Sequence, residues 1–317
     1  MYILYPMSLK TLSAGNLSWT NIEAVTDETL NFLRSNYNFH DLDLEDIATE
    51  STHIPKIDIY KNYLFLVLHF PHWNHDEKKI TISQVNFFVG ENFVITVAQK
   101  RNREMRSFFY RCMKNRSVKS EWMSGTSGLL LYHIIESLFH ETRPILNNIG
   151  KHVSLIENEV FSGEQNSELI KELAGHRRNI LLYRSIVDPQ RYVISSITHV
   201  RKPFLDEQLS IYFDDVRDYL DKLWAIIETY KETINGLYIT VESYINQRTN
   251  KLLTVLTVIS VAMLPHTLLF NLYGMNLSIL PLADHPTVVW SLFSGLTIIV
   301  GVTLWIILRR IKKTGWF

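Results

Sequence analysis

Leu252–Leu272 reads LLTVLTVISVAMLPHTLLFNL. No Asp, Glu, Lys or Arg interrupts it. At ~1.5 Å per residue, a helix of about 21 residues crosses the roughly 30 Å hydrocarbon core of a bilayer. A second stretch of the same kind, Val288–Leu308, reads VVWSLFSGLTIIVGVTLWIIL. Neither has the broad polar face of a soluble surface helix. The connection, 273–287, is too short to hold a domain, so the two segments form a hairpin. Its flanks set the orientation. Arg248 and Lys251 precede the first segment, and Arg309, Arg310, Lys312 and Lys313 follow the second. The loop between them has one acid, Asp284, and no Lys or Arg. The positive-inside rule therefore places both ends in the cytoplasm and the loop outside.

Upstream of about Thr249, charged and apolar residues mix as in a soluble protein. The 317 residues carry 32 Lys+Arg against 32 Asp+Glu, so net charge offers no attraction for nucleic acid. The one cysteine, Cys112, allows no intrachain disulfide and fits a reducing compartment. Met1–Pro6 has neither the basic region nor the apolar core of a signal peptide.

Ile57–Phe70 and Gln84–Ala98 are rich in Val, Ile, Phe and Tyr. The second reads as a hairpin of Gln84–Val89 and Phe93–Ala98 turning at Gly90-Glu91-Asn92. Asp27–Tyr37 has helical spacing, and the pattern after Gly128 is helical throughout. This predicts a small α/β domain followed by long helices. Val216, Leu220, Leu223, Ile227, Tyr230, Ile234, Leu237, Val241 and Tyr244 alternate steps of four and three. Such a seam, kept for about four heptads, predicts a long helix packed on other helices. No break separates it from Leu252, so one helix can run from the soluble part into the membrane. There the phase continues as Asn250, Leu253, Thr257, Ser260, Leu264, Thr267 and Asn271, five of them polar. A polar stripe facing lipid is costly. It lines water or makes hydrogen bonds to a partner helix.

Catalytic chemistry is scarce. The sequence has no phosphate-binding glycine loop, Cys-x-x-Cys or His-Glu-x-x-His, and no nucleophile–base set stands out, so an enzyme is not expected. His69, His72 and His75 are spaced by three, but Pro71 and the polar run after it suggest a strand end and loop rather than a ligand set. His266, beside Pro265, is either a proton relay or a neutral imidazole packed at a kink. Asp41, Asp43, Glu45 and Asp46 read as acids solvated near a helix N-terminus.

Tyr273-Gly274-Met275-Asn276 directly follows the first membrane segment. With the short outer loop, second helix and basic tail, it resembles the CorA family of magnesium and divalent-cation transport proteins, the Gly-Met-Asn channel superfamily. The similarity extends upstream to Leu44-Glu45-Asp46-Ile47, Pro55-Lys56-Ile57, Tyr60–Leu68, Gln84-Val85 and Phe213–Asp218, and downstream to Trp316. It implies an α+β cytoplasmic domain, a long stalk helix and a two-helix transmembrane hairpin, assembled as a funnel-shaped homopentamer. In these terms the organisation is an α/β domain over 1–127, a helical region over 128–204 and a stalk helix over 205–272 that continues into the first span. An outer loop over 273–287, a second span over 288–308 and a basic tail over 309–317 complete it. The expected setting is the inner membrane of a prokaryote, with both termini cytoplasmic.

The resemblance assigns Tyr273, Gly274, Met275 and Asn276 to a selectivity loop. It assigns Asn250, Leu253, Leu256, Leu264, Thr267 and Asn271 to a pore. It also places Glu45 and Asp46 opposite Asp215 and Asp218 of an adjacent copy, with Glu136 as a further acid, at a regulatory Mg²⁺ site. Mg²⁺ is then both cargo and regulator, with Co²⁺ and Ni²⁺ as further cargo. Two departures stand out. Asn271 occupies a position where the family often has Gly, and the outer loop keeps only Asp284 of the usual acidity. A zinc or other transition-metal carrier of the same superfamily, which typically has Gly-Ile-Asn or another residue in place of Gly-Met-Asn, is the main rival reading. A membrane-anchored structural or sensor protein is the second.

Overall fold

The computed structural model describes residues 9–49, 53–98, 102–162, 167–275 and 284–313. They form two compact units, 1–237 and 238–317. In the first, strands β1 (Leu9–Ala14), β2 (Leu17–Ile22), β3 (Lys56–Ile59), β4 (Tyr63–Asn74), β5 (Lys79–Gly90) and β6 (Phe93–Ala98) make one sheet in the order β1-β2-β6-β5-β4-β3. Only β2 and β6 run parallel, with Ser18 opposite Phe93 and Ile22 opposite Val97. The β1–β2 turn passes through Gly15 at φ 57, a left-handed conformation that glycine adopts without strain.

Both faces of the sheet are covered, which explains the nearly unbroken apolar run of β4. On one face Tyr63, Phe65, Val67, Phe88, Ile95 and Val97 pack with Leu33 of α1 (Asp27–Asn36) and Leu44 and Ile47 of α2 (Asp41–Ala48). On the other, Trp19 meets Phe109 of α3 (Arg103–Lys114) edge-on at 5.0 Å and stacks on Trp122 of α4 (Arg116–Trp122). Phe70 lies 4.9 Å from Phe139 of α5 (Ser127–His140). After the last strand, helices thus resume at Arg103, ahead of Gly128. Pro71 does not end β4: it pairs with Ile82 while β3 reaches only to Val67, so its missing N–H faces an open edge.

Two buried amides of α7 (Ser167–Thr198) finish the sheet where strand partners run out. Gln190 Oε1 accepts from His69 N at 2.8 Å and Asn179 Oδ1 from Ile80 N at 3.1 Å. Leaving these N–H groups buried and unpaired would cost about 1–3 kcal/mol each. Helix α6 (Arg143–Ser162) packs against α7, and Tyr183 hydroxyl meets Thr142 Oγ1 at 3.0 Å. Helix α8 runs Glu207–Gly274. Its expected seam is present in the first unit, where Val216, Leu220, Leu223, Ile227, Ile234 and Leu237 are all buried.

The second unit holds the rest of α8 and helix α9 (Pro286–Lys313). Both helices contain windows long and apolar enough to span a membrane, and none of the residues in those windows is buried.

Candidate functional site

In the second unit α8 and α9 meet along one seam. Val255, Val258, Ala262, His266, Leu269 and Tyr273 are partly covered, as are Val289, Phe293, Leu296, Val300 and Leu304 across from them. Phe270 stacks on Phe293 at 4.9 Å, and Tyr273 lies against the same ring at 6.0 Å. His266 Nε2 is 3.0 Å from Thr297 Oγ1. That contact packs the His266 imidazole against α9.

The polar stripe lies on the other side of α8. Asn250, Leu253, Thr257, Ser260, Leu264, Thr267 and Asn271 are all exposed in the single chain, as is Leu256 at the stripe's margin. At about 100° per residue, these positions fall roughly opposite His266. Thr257 and Thr267 donate their hydroxyl protons to the carbonyls of Leu253 and Met263, at 2.8 and 3.0 Å. With the proton turned inward, each hydroxyl oxygen keeps lone pairs to offer outward. The two threonines thus offer acceptors between apolar side chains of the stripe.

Beyond the stripe, Gly274 ends α8 and Met275 is exposed. Asn276 lies outside the described residues.

The expected regulatory acids sit in the first unit. Asp46 of α2 is ion-paired to Lys56 at 2.8 Å and lies 3.7 Å from His53 Nδ1. Glu45, one residue earlier, is exposed. Asp215 and Asp218 are exposed on α8, and Arg217 reaches Asp218 at 3.5 Å and Asp214 at 2.7 Å. Glu136 of α5 accepts a hydrogen bond from Tyr132. Burial, Glu136 and then Asp215 together hold the Tyr132 hydroxyl well above its usual range. Among the described residues no three His, Cys, Asp or Glu side chains converge as a cation site within one chain.

Asp43 departs from the expected solvated cluster. It is 1% exposed and accepts from Tyr63 Oη at 2.6 Å and Tyr60 Oη at 3.0 Å. Burial raises its pKa above the ordinary value. It anchors α2, the helix that carries Glu45 and Asp46. The one sequence signal for this was the pair Tyr60 and Tyr63, which contributed only to the apolar count of a strand.

A family model described as CorA-like Mg2+ transporter protein matches residues 14–310. The chain belongs to this family. It is thus a membrane transport protein for divalent cations, not an enzyme. It is 25% identical over 300 residues to the cobalt/magnesium transport protein CorA of Thermotoga maritima, covering 94% of this chain and 83% of that one. It is 24% identical over 190 residues to the zinc transport protein ZntB of Pectobacterium carotovorum, covering 60% and 56%. The complete structure of the CorA magnesium transporter from Methanocaldococcus jannaschii superposes with TM-score 0.76 at 20% identity, covering 95% of this chain and 92% of that one. The CorA fold, an α/β domain followed by a long helix and a second apolar helix, is therefore this chain's fold.

Proposed function

We propose that this protein conducts hydrated Mg²⁺ through a pore that copies of α8 line together, five by the family resemblance. The carrying observation is the stripe from Asn250 to Asn271, which faces away from α9 and offers lone pairs from Thr257 and Thr267. A lone hairpin would leave that stripe against lipid, whereas a ring of copies turns it to water. Mg²⁺ gives up its waters reluctantly, and neutral oxygen donors can hydrogen-bond the hydrated ion without holding it too tightly to leave. Gly274 carbonyls and Asn276 amides serve this role at the mouth, and Leu253, Leu256 and Leu264 form the apolar constriction. The basic flanks of the hairpin support a cytoplasmic side for both of its ends, and the family resemblance supports a prokaryotic inner membrane.

Glu45, Asp46, Asp215, Asp218 and Glu136 would hold a regulatory Mg²⁺ between copies. Carboxylates are the donors Mg²⁺ takes. Their arrangement in one chain supports a shared site rather than a private one. Among the described residues no three converge, Asp46 has a lysine for partner, and Asp215 and Asp218 are exposed.

The similarity to a zinc transport protein supports a second reading, a transition-metal cargo. Flux into proteoliposomes separates the two, comparing Mg²⁺, Co²⁺, Ni²⁺ and Zn²⁺ with and without a proton gradient. Mg²⁺ flux without a gradient is expected, with Co²⁺ and Ni²⁺ following. Zn²⁺ flux alone would replace the Mg²⁺ reading. Asn276→Ala should abolish selective Mg²⁺ flux in an assembled oligomer, and wild-type flux from that variant would remove the amide from the selectivity loop.

A further inference from the structure

We propose that His266 is a positioning residue for conduction. By donating one hydrogen bond to Thr297 of α9, it fixes how the part of α8 beyond Pro265 is turned, and with it the bearing of Thr267 and Asn271. The inference rests on the reading of α8 as pore-lining and concerns the second unit alone.

Proline creates the need for such a tie. Pro265 lies inside α8 and has no N–H, so the carbonyl of Val261 loses its usual partner four residues on. Helices kink at such points. Directly beyond it, the outer segment is tied to α9. His266 Nε2 meets Thr297 Oγ1 at 3.0 Å, Phe270 stacks on Phe293 at 4.9 Å, and Tyr273 lies 6.0 Å from that same ring. His266, Phe270 and Tyr273 follow one another at steps of four and three, so they share one side of the helix. The aromatic contacts supply area. The His266 contact adds direction.

Its polarity follows from its neighbour. Thr297 Oγ1 gives its one proton to the Phe293 carbonyl at 2.8 Å. Towards His266 it can therefore only accept, so Nε2 carries the proton and the imidazole is the neutral Nε2–H tautomer. Nδ1, shut off from solvent, has no hydrogen-bond partner among the described residues. The ring is thus held at a single atom. Thr267 and Asn271 come one residue after His266 and Phe270, about 100° further round the helix. A rotation of this segment that breaks the His266–Thr297 bond carries both of them with it. The role needs a donor at position 266 and no proton exchange, whereas a relay needs a group that takes up and releases a proton.

The test uses full-length variants in proteoliposomes, each checked for assembly by size-exclusion chromatography. His266→Gln keeps an N–H donor but does not titrate, and its Mg²⁺ flux should stay close to wild type. His266→Leu and Thr297→Val should each lower flux roughly threefold or more, the scale of one interhelical hydrogen bond, and the double variant no further. A second readout is the rate at which a water-soluble thiol reagent modifies Asn271→Cys, since the natural Cys112 is buried. That rate should change with His266→Leu and with Thr297→Val, and hold with His266→Gln. Equal loss of flux in His266→Gln and His266→Leu would make titration the requirement and overturn the positioning role. Wild-type flux and labelling in both His266→Leu and Thr297→Val would also overturn it and leave the pore reading standing. No labelling of Asn271→Cys in any background would take the stripe out of water, and the pore reading would fall together with this inference.

Discussion

A carboxyl that is 1% exposed, with two tyrosine hydroxyls as its partners, behaves differently from its acidic neighbours. Desolvation favours the protonated form of Asp43 and outweighs the opposing hydrogen bonds from Tyr63 and Tyr60. The native state therefore holds this proton more tightly than the unfolded chain does. The sign follows from linkage. The contribution of Asp43 to stability is largest below its ordinary pKa of 3.8 and declines as pH rises through the elevated native value. Asp43→Asn, which keeps an acceptor and removes the titration, should flatten that part of the pH dependence of the melting temperature. Asp43→Ala should destabilise at every pH by about 1–3 kcal/mol, because it strands two tyrosine hydroxyls. Thermal melts of both variants across the acid range check this. An Asp43→Asn curve parallel to wild type would show that the carboxyl does not titrate in the native state as argued. Nothing in the local sequence separates Asp43 from Asp41 or Glu45. Its burial depends on Tyr60, between β3 and β4, and Tyr63 of β4, and a helix-terminus reading of four acids has no access to that contact.

At the scale of elements, glycine separates packing from propensity. A Cβ on Gly128 would run into the Phe204 carbonyl oxygen and lie 2.9 Å from Leu205 Cδ2. A Cβ on Gly175, in the middle of α7, meets nothing. Alanine adds about 1 kcal/mol of helix propensity at either position, but overpacking against backbone typically costs 1–3 kcal/mol. Gly128→Ala should therefore lower the melting temperature and Gly175→Ala raise it, so matching shifts in thermal melts would contradict the packing argument.

The elements legible in the sequence are those whose cause is local. Uncharged length marked both spans, and the 3-4 alternation marked the α8 seam and the stripe. What stayed hidden depends on distant partners. Strands β1 and β2 join the sheet through a parallel pairing to β6, some 75 residues downstream. Whether the stripe served α9 or something else was also undecidable from spacing alone, and the His266–Thr297 and Phe270–Phe293 contacts place α9 on the opposite side. If the exposed leucines of that stripe form the closed constriction, they resist wetting. Leu256→Ser or Leu264→Ser should then leak at Mg²⁺ concentrations that close wild type. Unchanged closed-state flux in both would mean that these side chains face neighbouring helices instead.

At the scale of the whole molecule, the distribution of acids bears on how conduction would stop. Asp215 and Asp218 stand one helical turn apart on α8, exposed and pointing away from the buried seam at Val216 and Leu220. Asp46, on α2, is held by Lys56 of β3, and Asp43 fixes that helix to the sheet. In the proposed assembly these groups face each other across two copies, and without a cation their carboxylates repel. In that proposal Mg²⁺, bridging largely through its waters, would neutralise them and hold neighbouring copies together. Losing Mg²⁺ would let the copies separate and would move the helices that carry Leu253, Leu256 and Leu264. Cargo would then limit its own entry without a separate sensor. Protease protection of the purified oligomer, titrated with Mg²⁺ alongside flux, tests this. Wild type should be protected and shut in the millimolar range, roughly the weak regime of few-carboxylate sites. Asp215→Lys, at an exposed position, should lose both responses with the fold intact. Asp46→Lys should lose them too, although it also releases Lys56. If both variants keep wild-type protection and wild-type inhibition, closure is governed elsewhere. If protection is lost while Mg²⁺ still shuts the flux, the site joins the copies without controlling the gate.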